Sequence, residues 1–108
     1  MNLFEHYKKH IDVLAESMEL IDPIKAYEFV DLLLNCKGKI FFTGVGKNGH
    51  VAAKATSTFS SIGLPCFFIN PVDSVHGDMG VINKGDILVA ISKSGNTEEL
   101  IHFLKHVE

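Results

Sequence analysis

The sequence predicts an α/β fold in which a doubly wound parallel sheet is covered by helices on both faces. Three segments, 40–42, 65–70 and 87–91, have the length and apolar composition of strands. None of them alternates regularly between apolar and polar residues, which is typical of parallel strands buried on both faces. Helices are predicted after the first strand, at 51–63, and after the third strand, at 98–105. Strands and helices therefore alternate, as the crossovers of a parallel sheet require.

Two helices are predicted before the first strand. Residues 2–18 carry apolar side chains three or four positions apart, which favours an amphipathic helix. Asp22 suits the N-cap of a second helix and Pro23 suits its first position. This second helix is expected to end at Lys37 and Gly38.

With 108 residues, the chain has room for one domain. We expect a helical lead-in, 1–37, followed by an α/β core, 38–108. Three strands make a small sheet, and the helix predicted at 98–105 has no C-cap signal after it. We therefore expect an incomplete sheet, belonging either to the N-terminal part of a longer domain or to a chain that completes its sheet with another copy.

The charge and hydropathy of the chain argue against several classes of partner. The formal net charge is −3 and the pI is about 6.0, which gives no reason to expect a nucleic acid or an anionic membrane as partner. No apolar run approaches the roughly 18 residues of a spanning helix. The mixed charge of the N-terminal segment is unlike a signal peptide. We expect a cytoplasmic protein.

The turn after the first strand combines glycines at fixed spacing with a helix start. Gly44, Gly46 and Gly49 follow the strand, with Lys47 and Asn48 between them. Such a turn presents unpaired backbone N–H groups and the positive end of a helix dipole, which suit a phosphate. The spacing also matches the G-x-G-x-x-G pattern of dinucleotide-binding proteins.

A dinucleotide site requires more than this pattern. The acidic residue usual at the end of the second strand is absent, since Asn70 and Pro71 stand there. A lysine inside the turn, Lys47, is also unusual for a pyrophosphate site. We keep a nucleotide-binding domain as the third interpretation of the sequence.

The turn after the third strand contains three hydroxyls around a glycine. The segment runs Ser92, Lys93, Ser94, Gly95, and then Thr97 after an asparagine. Hydroxyls, backbone N–H groups and a helix start together form a compact site for a phosphate monoester. The alternative is that one of these residues only caps the following helix, which does not account for both serines.

Three motifs in this order, GVGKNGH, HGDMG and ISKSGNTEEL, resemble those of the sugar isomerase (SIS) domain family. More narrowly, the chain is similar to the arabinose-5-phosphate isomerases of lipopolysaccharide-sugar biosynthesis. The resemblance implies a SIS-type, flavodoxin-like α/β/α fold of three layers. It also implies interconversion of D-ribulose 5-phosphate and D-arabinose 5-phosphate through an enediolate.

The resemblance implies three catalytic residues: Lys47, His76 and Glu99. Lys47 would stabilise the enediolate, and His76 would assist ring opening. Each has a simpler interpretation: a solvated turn lysine, a loop histidine bonded to backbone, and for Glu99 a capping box with Asn96. The substrate-binding set consists of Gly44, Gly46, Asn48, Ser92, Lys93, Ser94, Gly95 and Thr97.

The resemblance further implies a homo-oligomer, either a dimer or a tetramer. No cofactor is expected. No metal is expected, although His6 and His10, and likewise His102 and His106, have the i, i+4 spacing that can hold one. The second interpretation of the chain is a non-catalytic SIS module that binds a sugar phosphate for sensing or regulation.

Overall fold

A computed structural model describes residues 2–74 and 79–93. The chain forms two compact units, Met1–Leu32 and Leu33–Glu108. The helices and strands, in chain order, are α1 (Leu3–Ser17), α2 (Pro23–Leu34), β1 (Ile40–Gly44), α3 (Lys47–Ser61), β2 (Cys66–Phe68), α4 (Pro71–Ser74) and β3 (Ile87–Ile91). The helix predicted at 98–105 lies outside the described residues.

The first unit is helical, as the apolar spacing predicts. Asn2 and Glu5 form a capping box at the start of α1, in which the Asn2 side chain accepts the Glu5 N–H at 2.9 Å. No residue of α1 is buried. The start of α2 is confirmed at Pro23, and Asp22 accepts the Ile24 N–H at 2.9 Å. Helix α2 ends at Leu34, three residues before the predicted end.

The second unit contains a parallel sheet of three strands in the order β2-β1-β3. Ile40 of β1 is the register partner of Cys66 on one side and of Ile87 on the other. The predicted parallel α/β architecture is confirmed. β1 is the central strand of the three and all five of its residues are buried, which agrees with the apolar run 40–42 that begins it.

One face of the sheet packs against α3. Ile40, Phe42 and Cys66 are buried there against Ala52 of the helix, which has no exposed surface. The rings of Phe42 and Phe59 stack with their centroids 5.6 Å apart. Burial raises the pKa of the Cys66 thiol. This layer of side chains holds α3 against β1.

The opposite face of the sheet holds a second, smaller cluster. Phe41 and Ile69 are buried, and Ile82 and Leu88 pack against them. A cavity of about 490 Å³ lies on this face and extends to Phe67, whose ring centroid is 5.7 Å from that of Phe41. Both faces of the sheet are therefore apolar, as the strand sequences predict.

A polar contact joins the beginnings of β1 and β3. The Asp86 carboxylate accepts the N–H of Lys39 and the N–H of Asn83, each at 2.8 Å. The Lys39 ammonium lies 3.6 Å from the same carboxylate, of which only 4% of the side chain is exposed. The backbone N–H donors, with the Lys39 charge, lower the pKa of Asp86. The contact holds the turn before β3 against the start of β1.

Candidate functional site

The turn after β1 is shorter than the sequence predicts. Helix α3 begins at Lys47, whereas the apolar pattern places helix only from residue 51 onward. Two glycines allow this early start. A Cβ on Gly44 would lie 2.6 Å from the Asn48 oxygen, and a Cβ on Gly49 would lie 2.8 Å from the Gly44 oxygen. The first turn of the helix therefore packs directly on the end of the strand.

Gly46 lies between the strand and the helix in a conformation that favours glycine. Its φ is 62° and its ψ is −127°. A Cβ at this position would meet no atom within 4 Å, so the constraint comes from the backbone and not from crowding. No side chain caps α3 at this residue. The N-terminus of the helix is therefore formed by backbone alone.

The first turn of α3 carries a lysine, but two of the backbone N–H groups that the sequence predicts to be unpaired there are already hydrogen-bonded. The N–H of Asn48 bonds to the Val45 oxygen at 3.2 Å, and the N–H of Gly49 bonds to the Gly46 oxygen at 3.0 Å. Lys47 is exposed at the first helical position. The positive end of a 15-residue helix and a lysine ammonium thus occur together at the end of β1.

The ends of β1 and β3 are adjacent. Gly44, the last residue of β1, is the register partner of Ile91, the last residue of β3. Ser92, which is half-buried, and Lys93, which is exposed, follow Ile91 directly. The segments that begin after Gly44 and after Ile91 therefore start side by side at the carboxyl edge of the sheet. In α/β sheets, ligands bind at this edge.

Five of the predicted site residues lie outside the described residues. They are His76, Ser94, Gly95, Thr97 and Glu99. Those that are described, Gly44, Gly46, Lys47, Asn48, Ser92 and Lys93, are found at the ends of β1 and β3 or directly after them.

Thr43 holds the end of β1 in place and is not among the predicted site residues. The Thr43 side chain is completely buried, and its hydroxyl donates a hydrogen bond to the Ile69 oxygen. The Ile69 N–H in turn donates to the Phe42 oxygen at 3.0 Å. A single polar residue in an otherwise apolar strand is the signal that would have identified it, since buried hydroxyls need a partner.

The described residues contain neither a cluster of metal ligands nor a membrane-spanning helix. No three or more His, Cys, Asp or Glu side chains in that part of the chain are grouped so as to hold a metal ion. Residues 2–74 and 79–93 also contain no helix with the length and hydropathy needed to cross a bilayer.

Curated relatives carry the name arabinose 5-phosphate isomerase. Over 81 residues the chain is 46% identical to the KpsF protein of Escherichia coli, a match that covers 75% of this chain and 26% of that protein. It is 38% identical over 112 residues to the KdsD protein of Francisella tularensis, covering 99% of this chain and 34% of that one. The chain thus spans about a third or less of the length of these relatives.

A solved structure supports the same relationship. The Escherichia coli CFT073 protein c3406, whose structure was solved in complex with arabinose 5-phosphate, superposes with a TM-score of 0.80 at 35% identity. The match covers 99% of this chain and 60% of that one. The SIS domain family model matches residues 33–108, which include the whole three-stranded sheet and most of the chain. The chain therefore belongs to the SIS domain family.

Proposed function

We propose that this chain is the sugar-phosphate-binding part of an aldose–ketose isomerase that interconverts D-ribulose 5-phosphate and D-arabinose 5-phosphate. The observation that carries this proposal is the pairing of Gly44 with Ile91. This pairing brings the start of the Lys47 turn beside the start of the Ser92 segment. A pentose 5-phosphate has its phosphate at one end and its carbonyl at the other, so it requires two neighbouring segments, one for each end.

The phosphate would be bound by the segment that begins at Ser92. A phosphate ester is a dianion near neutral pH, and hydroxyls with backbone N–H groups can bind all of its free oxygens. In the proposal, Ser92, Ser94 and Thr97 supply hydroxyls, while Lys93 and Gly95 complete the segment. The carbon chain of the sugar would then extend toward the end of β1.

The reaction moves one proton between C1 and C2. A base removes the C2 proton of the open-chain aldose, and the electron pair forms an enediolate whose charge lies on oxygen. The O2 hydroxyl proton moves to O1 and the base returns its proton to C1, which gives the ketose with its carbonyl at C2. Such a step needs a base within hydrogen-bond reach and a donor or positive charge beside the enediolate oxygen.

Lys47 is the proposed stabiliser of the enediolate. Its position at the N-terminus of α3 combines the ammonium charge with the helix dipole, and both favour a developing anion. Gly44, Gly46 and Asn48 would form the backbone wall beside the sugar. His76 is proposed to assist ring opening and Glu99 to act in proton transfer, both on the strength of the family resemblance.

The curated relatives suggest the setting of this chemistry. We propose that the protein acts in the cytoplasm as a homo-oligomer, dimer or tetramer, on a precursor of a lipopolysaccharide sugar. No cofactor is required for an enediolate isomerisation of this kind, since no net redox change occurs.

A second candidate function is sugar-phosphate binding without turnover, for sensing or regulation. It needs only the phosphate-binding segment, and the match covers 26% and 34% of the two curated isomerases compared above. In this case the phosphate site would be retained and the proton transfer would be absent.

Thermal shift measurements with ligands distinguish these candidates from the nucleotide interpretation. We expect arabinose 5-phosphate and ribulose 5-phosphate to raise the melting temperature, because a ligand that binds only the folded state stabilises it. Hexose 6-phosphates, NAD and ATP serve as comparison ligands. A shift with NAD or ATP and none with any sugar phosphate would exclude both candidates. Incubation of the bound pentose phosphate, followed by NMR, then separates turnover from binding alone.

A further inference from the structure

Two histidines on α1 lie closer together than their spacing alone requires. The Nε2 atoms of His6 and His10 are 3.1 Å apart. The two rings meet edge to face, with centroids 4.6 Å apart and planes inclined by 71°. Both side chains are exposed on the helix surface. The pair belongs to the first unit, whereas the strands of the proposed sugar-phosphate site belong to the second.

This separation of the two nitrogens is that of two ligands on one metal ion. Imidazole nitrogens bind Zn²⁺ at about 2.0–2.1 Å. Two such nitrogens 3.1 Å apart subtend an angle of about 100° at the ion. This value lies between the right angle of octahedral or square-planar ligands and the wider tetrahedral angle, so the separation of the nitrogens suits one ion. In the hydrogen-bonded pair the two nitrogens point at each other, so both rings have to turn about their side-chain bonds to aim their lone pairs at the ion.

The protonation of the two rings is also compatible with a metal ion. Without metal, the contact is an N–H···N hydrogen bond in which one Nε2 donates and the other accepts, with roles set by the tautomers. For both Nε2 lone pairs to bind a metal, the donating ring changes to the tautomer protonated at Nδ1. The ring remains neutral, so no net proton has to leave a neutral pair.

We propose that His6 and His10 form a bidentate binding site for a borderline divalent transition metal such as Zn²⁺ or Ni²⁺. Imidazole favours this class of ion over Mg²⁺ and Ca²⁺, which prefer oxygen ligands. No third His, Cys, Asp or Glu ligand is found beside the pair within the described part of the chain. The remaining coordination positions are therefore open to water. The 3.1 Å separation of the two nitrogens, which a sequence does not give, is the observation that favours a metal here.

Metal binding at this site would stabilise helix α1. Helix α1 has no buried residue and begins with a capping box. The ion would connect two side chains one turn apart, and this geometry exists only in the helical conformation. The ion therefore binds the folded helix in preference to the unfolded chain and shifts the equilibrium toward helix.

Isothermal titration of the full chain with ZnCl₂ tests the site. The titrations are made in a His102→Ala/His106→Ala background, so that the other pair with this spacing contributes nothing. We expect one ion bound per chain, and we expect His6→Ala or His10→Ala to weaken its binding by about tenfold or more, since even residues that only support metal ligands cost this much. Long-range ¹H–¹⁵N spectra should show both Nε2 resonances shifting together.

A respaced variant provides the matched control. His10→Ala combined with Lys8→His keeps the number of histidines on α1 but moves the second one away from the face of His6. This variant should bind Zn²⁺ no better than the single variants. The proposal is overturned if either single variant binds as tightly as the parent, or if the respaced variant does.

Discussion

Gly49 lies against the backbone of Gly44, and a Cβ on Gly49 would be 2.8 Å from the Gly44 oxygen. This is closer than a carbon and an oxygen can approach without displacement, and the atom in the way belongs to the main chain of β1. The absence of a side chain at Gly49 is therefore what lets the first turn of α3 pack on the end of the strand.

Gly49→Ala is expected to destabilise the protein. Alanine is favoured over glycine in a helix by up to about 1 kcal/mol, but forcing a methyl group into a filled space costs about 1–3 kcal/mol. We expect the free energy of unfolding to fall by about 1–2 kcal/mol in urea denaturation. The matched control is Gly80→Ala, because a Cβ at Gly80 meets no atom within 4 Å. Equal effects of the two substitutions would show that the close approach of Gly44 and Gly49 is not important for stability.

Thr43→Val tests the hydrogen bond that fixes the end of β1. Valine has nearly the same shape but cannot donate to the Ile69 oxygen, and the site is completely buried. We expect the free energy of unfolding to fall by about 1–2 kcal/mol, the cost of leaving a buried acceptor without that partner. Thr58→Val, at an exposed position of α3, should change it by less than about 0.5 kcal/mol. An unchanged stability for Thr43→Val would mean that the hydroxyl makes no net contribution.

Asp86→Asn should destabilise the protein in a pH-dependent manner. The pKa of Asp86 is lowered in the folded state, chiefly by the hydrogen bonds from the Lys39 and Asn83 N–H groups. A carboxyl group with a lowered pKa stabilises the fold above its unfolded pKa, and this stabilisation disappears as the pH falls through the folded pKa. We expect a lower melting temperature for Asp86→Asn at pH 7.

The difference between Asp86→Asn and the parent should then narrow below about pH 4, where an unfolded aspartate takes up its proton. Melting curves between pH 7 and pH 2 measure it. Asp12→Asn makes the same chemical change at an exposed position of α1 and should leave the curve close to that of the parent. A difference for Asp86→Asn that stays constant over the whole range would contradict the pKa argument.

Lys47→Ala is expected to reduce isomerisation while leaving the fold intact. Removing a group that stabilises a developing anion typically lowers kcat by about 10²–10³-fold. The matched control is Lys54→Ala, two turns further along the same helix and about 10 Å away. Lys54 is also exposed, so the two variants lose the same charge. NMR observation of ribulose 5-phosphate conversion measures both, and equal rates for the two variants would remove Lys47 from the mechanism.

Much of the second unit could be predicted from the sequence because its strands are continuously apolar. The bounds of β3, Ile87–Ile91, were predicted to the residue, and turn residues flank it on both sides. The early start of α3 was missed because a glycine such as Gly49 normally disfavours a helix. Only the coordinates show that its lack of a side chain allows the helix to approach β1.

The polar contacts were harder to predict, since they join residues distant in sequence. Asp86 and Lys39 are 47 positions apart, and Thr43 and Ile69 are 26 apart. No local pattern connects such pairs. The capping box of Asn2 and Glu5, in contrast, could have been predicted from its spacing of three residues.

Binding of a pentose 5-phosphate where the ends of β1 and β3 adjoin can be located by an NMR titration. Arabinose 5-phosphate is added to the ¹⁵N-labelled chain, and backbone amide shifts are followed residue by residue. We predict the largest shifts in the two segments 44–49 and 92–97, with saturation of both at the same ligand concentration. Shifts confined to one segment, or largest elsewhere in the chain, would show that the two segments do not bind one ligand together.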